Sequence, residues 1–271
     1  MTVNLSLADA RFEPVIAERL LEASRAGQSS VMNDVLLEIA IAYIDVLEAR
    51  GRLVHSQQSY QDTTHLLELA RIFAREGKGS EAEVNRAQVE RAGMQIALEN
   101  NQRQITVRTA WLAQKLHLPP DTDLLPEEEQ LRPMQVIEDQ QGLKVLVSHG
   151  LAQRPELARQ HSLLEAAEGE LTREQWRPWL PNVQVGASGG TFGGGGSGNL
   201  ENQGGRGDLE VLAVWEWRNL GVVDYTRQAQ QKTRIRQQQT HKAILRDQVA
   251  TEVTVALAQV ESYRRQMATA L

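Results

Sequence analysis

No proline interrupts residues 15–76, and apolar side chains recur there at helical spacing: Val35, Leu36, Ile39, Ala42, Tyr43, Val46 and Leu47, then Leu53, Tyr60, Leu67, Ala70 and Phe73. This predicts one helix over residues 14–76, with Pro14 suited to its first turn. At ~1.5 Å per residue the helix would run roughly 95 Å, far beyond an ordinary globular helix. Gly27 and Gly51 are its weak points, and two or three shorter helices broken there are the alternative.

The rod should stop at "REGKGSEAE", where Gly77 and Gly79 can supply left-handed turn conformations. Ser80 and Glu83 have capping-box spacing and would start a second helix running to about His117. Its candidate seam residues are Val84, Ala87, Val89, Ile96, Leu98, Ile105, Trp111 and Leu112. Pro119 and Pro120 end it, because neither can continue a helix. The expectation is a long antiparallel helical hairpin. Residues 119–142 read as an acidic, irregular segment, and the Glu127–Glu129 run as solvated linker rather than a metal site. A further helix is expected over 143–176, interrupted near residues 154–157 and ending before Pro178.

The period then changes from 3.6 to 2. Val183, Val185 and Ala187 alternate with Asn182, Gln184 and Ser188. Leu209, Val211, Ala213, Trp215 and Trp217 share one face of a second segment, with Asp208, Glu210, Glu216 and Arg218 opposite. Between them, residues 186–207 hold 11 of the chain's 20 glycines. A helical period returns from about residue 220 and continues to Leu271.

Tryptophans on an apolar strand face, with charges on the other, fit a transmembrane barrel strand. About ten tilted residues also match the length needed to cross. A soluble hairpin packing its tryptophans against a helix fits the strands equally well. No run of about 18 apolar residues is present, so a membrane role would rest on strands.

Composition removes other classes. The net charge is −6, which gives no electrostatic footprint for nucleic acid. There is no cysteine, so disulfides and thiolate metal sites are excluded. Aromatics make up only 4% of the chain, which favours aliphatic helix seams over a bulky globular core. No signal peptide is evident in MTVNLSLADARFEP. The glycine stretch is followed by a strand and lacks Gly-Lys-Ser/Thr, which argues against a phosphate loop. The six histidines lack metal-site spacing, and Arg206-Gly207-Asp208 is expected to be only part of a turn. No catalytic constellation and no cofactor site can be argued.

A weak internal repeat lies at an offset of about 214 residues, where 35–50 overlays 249–264 with Val35/Val249, Glu38/Glu252, Ala42/Ala256, Val46/Val260 and Arg50/Arg264. Both copies read as strand end, short turn and long helix. On this reading the chain begins inside a first-repeat strand and stops inside a second-repeat helix.

Five segments occur in order: Ala42–Arg50, Phe73–Ala87, Leu116–Pro120, Arg154–Leu157 and Trp176–Val185. With the hairpin, the strands and the repeat, they resemble the TolC-like outer membrane efflux protein family, of which this would be a truncated member. The resemblance implies a mostly α fold with a small β part, in which long antiparallel helices join the strands of a trimeric outer-membrane barrel. Its expected segments are a first-repeat strand end (1–13), a periplasmic hairpin (14–118, tip 76–80), an equatorial segment (119–142) and a return helix (143–176). A β-hairpin (177–219, loop 189–207) and the start of a second-repeat helix (220–271) follow. Glu210, Glu216 and Arg218 would face the lumen, and Val211, Ala213, Trp215 and Trp217 the lipid. Gly77, Lys78, Gly79, Ser80 and Glu83 would form the tip that docks a periplasmic adaptor and, through it, an inner-membrane pump. The implied role is a homotrimeric passive conduit in the bacterial outer membrane with a periplasmic extension, not an enzyme. A periplasmic coiled-coil adaptor without its own channel is the alternative.

Overall fold

The structure, a computed structural model, describes residues 2–122, 124–128, 142–192 and 204–270. They form two units, Met1–Ser30 with Asp139–Leu271, and Val31–Glu138. In chain order the elements are β1 (Thr2–Ser6), α1 (Leu7–Arg75), α2 (Glu81–Lys115), α3 (Leu143–Gln153), α4 (Pro155–Trp176), β2 (Asn182–Phe192), β3 (Gly204–Val214) and α5 (Val222–Ala270). Arg218–Gly221 forms a short helical turn before α5.

α1 is one unbroken helix of 69 residues; neither Gly27 nor Gly51 divides it. It starts at Leu7, where Pro14 was expected to mark the first turn. The Ser6 hydroxyl accepts from the Asp9 amide and caps the earlier start. Pro14 therefore lies inside the helix, where it cannot donate to the Ala10 carbonyl. Both residues are exposed, so water can satisfy that carbonyl. The expected strand end at 1–13 is correspondingly shorter, ending at Ser6.

In the second unit, the residues of α1 turned away from solvent include Ala42, Val46, Ala49, Leu53, Ser56, Tyr60, Thr63 and Leu67, with Leu47 buried beside them. These steps of four and three are a heptad seam. α2 answers with Ala87, Arg91, Met94, Leu98, Asn101, Ile105, Arg108 and Leu112 in the same rhythm. Cross-helix contacts run in opposite directions along the two helices. Arg91 reaches the Tyr60 hydroxyl at 3.3 Å, Asn101 the Arg52 carbonyl at 3.5 Å and Arg108 the Asp45 carboxylate at 2.8 Å, and Lys115 pairs with Glu38. The hairpin is thus antiparallel. Ser56 and Thr63 sit in the seam at no polar cost, because their hydroxyls donate to carbonyls of their own helix. Val89, Ile96 and Trp111, expected in the seam, fall off the heptad positions and are exposed.

In the first unit α4 runs antiparallel to the start of α1. Arg19 pairs with Glu165 at 3.3 Å, and Gly169 lies against Ile16. α4 also runs antiparallel to α5, through Arg154–Glu252 at 3.0 Å, Gln160–Gln238 at 2.7 Å and Arg234–Glu170 at 2.6 Å. The α3–α4 break falls at Arg154, just before Pro155, within the expected interruption. The sheet has the order β1-β2-β3, antiparallel throughout.

Candidate functional site: an exposed sheet face and a helical turn

Register fixes which side chains share a face of the sheet. Val3 opposes Val185 and Leu5 opposes Val183. Across the other ladder Val183 opposes Ala213, Val185 opposes Val211 and Ala187 opposes Leu209. Opposed residues project to the same side. One face therefore carries Val3, Leu5, Val183, Val185, Ala187, Leu209, Val211 and Ala213, all apolar. The other carries Thr2, Asn4, Ser6, Gln184, Ser188, Asp208 and Glu210, with Leu212 and Val214 as its apolar members. The apolar face is not covered: Leu209 is 76% and Val211 64% exposed.

Strands extend into the glycine stretch that was expected to be a loop over 189–207. Gly189 pairs with Gly207, Gly190 with Arg206, Thr191 with Gly205 and Phe192 with Gly204. Glycine can pair without side-chain conflict, so the ladder runs past the last apolar pair. The remainder of the expected loop, 193–203, lies outside the described residues, as does the side chain of Phe192. The opposite end corrects the expectation in the other direction. β3 stops at Val214, which pairs with Asn182, and the residue before Asn182 is Pro181, which has no amide hydrogen to extend the ladder. Glu210, Val211 and Ala213 are therefore strand residues. Trp215, Glu216 and Trp217 lie in the segment after the strand, and strand alternation does not assign them a face. Arg218 opens the short helical turn, and its side chain lies outside the described residues.

Four of the chain's five tryptophans flank this end of the sheet. Trp176 closes α4, Trp179 precedes β2, and Trp215 and Trp217 follow β3; each is between 52% and 70% exposed. The spacing on the β3 side was legible in the sequence. Trp176 and Trp179 carried the same signal, tryptophan beside a strand end, on the β2 side.

A half-buried ionic network sits where β1 becomes α1. Arg177 donates to Asp9 at 2.8 Å and to Glu174 at 3.1 Å. Burial opposes the charge on Asp9, but hydrogen bonds from Arg177 and Ser6 and the charges of Arg177 and Arg173 outweigh it, leaving its carboxyl below the ordinary value. Burial likewise opposes the Arg177 charge and is outweighed by Glu174 and Asp9, so its pKa rises.

The α1–α2 turn forms as its residues demand. Gly77 adopts φ +72°, its amide donates to Ala74 at 3.2 Å, and the Lys78 amide donates to Phe73 at 2.9 Å. This is a Schellman cap. The Ser80 hydroxyl accepts from the Glu83 amide at 3.3 Å, and the Glu83 carboxylate accepts from the Ser80 amide at 3.0 Å, completing the expected capping box. A Cβ on Gly79 would lie 3.2 Å from the Ala74 amide nitrogen and from the Phe73 Cβ. Both glycines thus shape the turn, and Lys78, paired with Glu76 at 2.9 Å, is the exposed cation it presents.

The fold is similar to that of part of several solved outer-membrane channels. The similarity covers 99% of this chain for each of three solved structures. These are the outer-membrane channel OprN (17% identity, TM-score 0.79), the outer membrane protein VceC of Vibrio cholerae (16%, 0.80) and CusC, described for transmembrane channel formation (15%, 0.83). The chain spans 59%, 62% and 61% of those three chains. The long-helix fold with a small antiparallel sheet is as the resemblance implied. No protein-family model matches the sequence, and no curated protein matches it.

Proposed function

We propose that the chain supplies strands and periplasmic helices to a passive export channel in the bacterial outer membrane, working with a periplasmic adaptor and an inner-membrane pump. The observation that carries this reading is the sheet face of eight apolar residues left uncovered by the chain's own helices. Eleven residues of strand at ~3.3 Å span roughly 35 Å, and tilted by about 45° they cover a height of about 25 Å, enough to cross a barrel wall, with the apolar side chains at 183–187 and 209–213 in the half next to the helices. No helix among the described residues is long and apolar enough to cross a membrane, so in this reading the sheet makes the crossing.

Val211 and Ala213 then face lipid, and Glu210 faces the water-filled lumen. Trp215 and Trp217, together with Trp176 and Trp179, sit at the interface level, where an amphipathic ring is favoured. Glu216 and Arg218 lie at the lumen mouth. Conduction is passive, since a polar wall needs only to replace part of a solute's hydration. The homotrimer is supported by a second exposed apolar surface on α1. Val31, Met32, Leu36, Leu37 and Ile41 are each more than half exposed, more than a single soluble helix tolerates. The Gly77–Ser80 turn with Glu83 is the adaptor contact, offered through Lys78.

Carbonate extraction of outer membranes tests the membrane assignment: the chain should stay with the lipid, and its release into the supernatant would contradict the reading. Substituting Gly77 or Gly79 would reshape the turn itself. Lys78→Glu is the cleaner probe of docking. It should weaken adaptor cross-linking while leaving thermal unfolding unchanged, and undiminished cross-linking would remove the tip from the proposal.

A further inference from the structure

The end of the sheet beside α5 is built differently from any other junction in the first unit. After β3 the backbone passes through Asn219, Leu220 and Gly221 at φ 47°, 54° and 87° before α5 begins. Three consecutive left-handed residues, one of them leucine, are strained. The Leu220 side chain is 98% exposed, so no packing repays the strain. Beneath this segment lies a groove of about 460 Å³, lined by Trp179, Trp217, Asp224 and Tyr225, with Gln175 at its side. Trp217 is held as a wall by its indole N–H, which donates to the Pro178 carbonyl at 3.1 Å. Asp224 is only 6% exposed, yet its Oδ2 is buried without a hydrogen-bond partner among the described residues.

An unpartnered carboxylate in an aromatic-walled groove is the chemistry of ammonium recognition. The indole and phenol faces attract a cation, and the carboxylate accepts its N–H groups. A buried carboxylate is costly unless such a partner arrives. The groove adjoins the exposed tryptophans at the end of the apolar sheet face. A molecule anchored at an apolar–water boundary would present its cation at this groove.

We infer that this groove holds the primary-ammonium headgroup of a zwitterionic phospholipid, a phosphatidylethanolamine, with Asp224 accepting from the ammonium and Trp179, Trp217 and Tyr225 flanking it. The Gln175 amide is the donor beside the phosphate. A trimethylated headgroup keeps the charge but has no N–H to give Asp224, so the groove discriminates by hydrogen bonding. This inference rests on the membrane reading of the sheet, but its test uses soluble lipids and stands apart from that reading.

The experiment is titration calorimetry of the full chain in nonionic detergent with short-chain phosphatidylethanolamine, phosphatidylcholine and phosphatidylglycerol, and with free ethanolamine. The phosphatidylethanolamine should bind about tenfold more tightly than the choline lipid, and Asp224→Asn should abolish that preference. Equal binding of the three lipids, or an undiminished preference in Asp224→Asn, would overturn the inference. Free ethanolamine binding as tightly as the lipid would also overturn it, by assigning the groove to a soluble amine. Sedimentation of the same samples covers the remaining occupant. If Asp224→Asn changes the oligomeric state and no lipid preference exists, the groove belongs to a basic side chain of a second copy and the inference fails. The lipid comparison in the unaltered chain needs no variant to fold.

Discussion

Two places in the first unit turn a strand into a long helix, and they are built on opposite plans. β1 passes into α1 without a break. Ser6 caps the helix, and Arg177 ties Asp9 to Glu174 across the α1–α4 contact. β3 reaches α5 through seven residues, three of them left-handed, and leaves the Oδ2 of buried Asp224 without a hydrogen-bond partner among the described residues. The first junction spends its charges on holding the fold together. The second keeps a charge unspent and a groove open. The contrast separates residues kept for stability from residues available to a ligand, although both junctions make the same topological step.

The largest effect should come from the closed junction. Arg177→Ala removes the cation that hydrogen-bonds the buried Glu174 carboxylate, leaving it only the Arg173 ion pair at 3.6 Å, and should cost about 2–3 kcal/mol in urea unfolding. Asp224→Asn, at the open junction, should change stability by no more than about 1 kcal/mol, because it removes a buried charge that has the α5 N-terminus but no hydrogen-bond partner at Oδ2 among the described residues. Similar losses for both variants would erase the distinction. Next, Gly169→Ala places a Cβ at 3.0 Å from Ile16 Cγ1 and should cost about 1–2 kcal/mol. Combined with Ile16→Ala, which removes Cγ1, it should cost less than the sum of the two single losses, and strict additivity would show that the two helices do not meet this closely. Leu220→Gly should stabilise by about 0.5–1 kcal/mol, since glycine meets φ 54° without steric cost. A loss of stability there would mean that the leucine packs on something.

The smallest effect is in pH. Asp9 is depressed below its ordinary value of 3.8, so its contribution is complete above that value and disappears as the pH falls through the folded-state pKa. Stability of the unaltered chain should therefore decline more steeply below about pH 4 than that of Asp9→Asn. Parallel profiles would remove Asp9 from the network.

Much of this architecture could be read from residue order, for identifiable reasons. The hairpin turn was legible because glycine and the Ser80–Glu83 pair are the residues its backbone conformations require. The end of α2 shows the limit. His117 occupies the same left-handed cap position, φ 56°, with Leu118 donating to Ala113 at 2.8 Å, and histidine gives no advance notice of it. The early start of α1 was hidden by Pro14, whose exposed position lets a helix run through it. The end of β3 was hidden because Trp215 and Trp217 continue the alternation after Pro181 has ended the ladder. Asp224 was invisible, since a first-turn aspartate is ordinary in sequence and only its surroundings leave its Oδ2 without a partner among the described residues.

The central claim is that the apolar face of the sheet meets lipid, and the absence of cysteine makes it directly measurable. Single cysteines placed in turn at 208 to 213, in the chain in outer membranes, would each be the sole thiol. Reaction with a water-soluble maleimide should alternate: fast at 208, 210 and 212, and slow at 209, 211 and 213, with the slow set quenched by a lipid-phase probe. Uniform, rapid labelling of all six positions would place both faces in water and contradict the account.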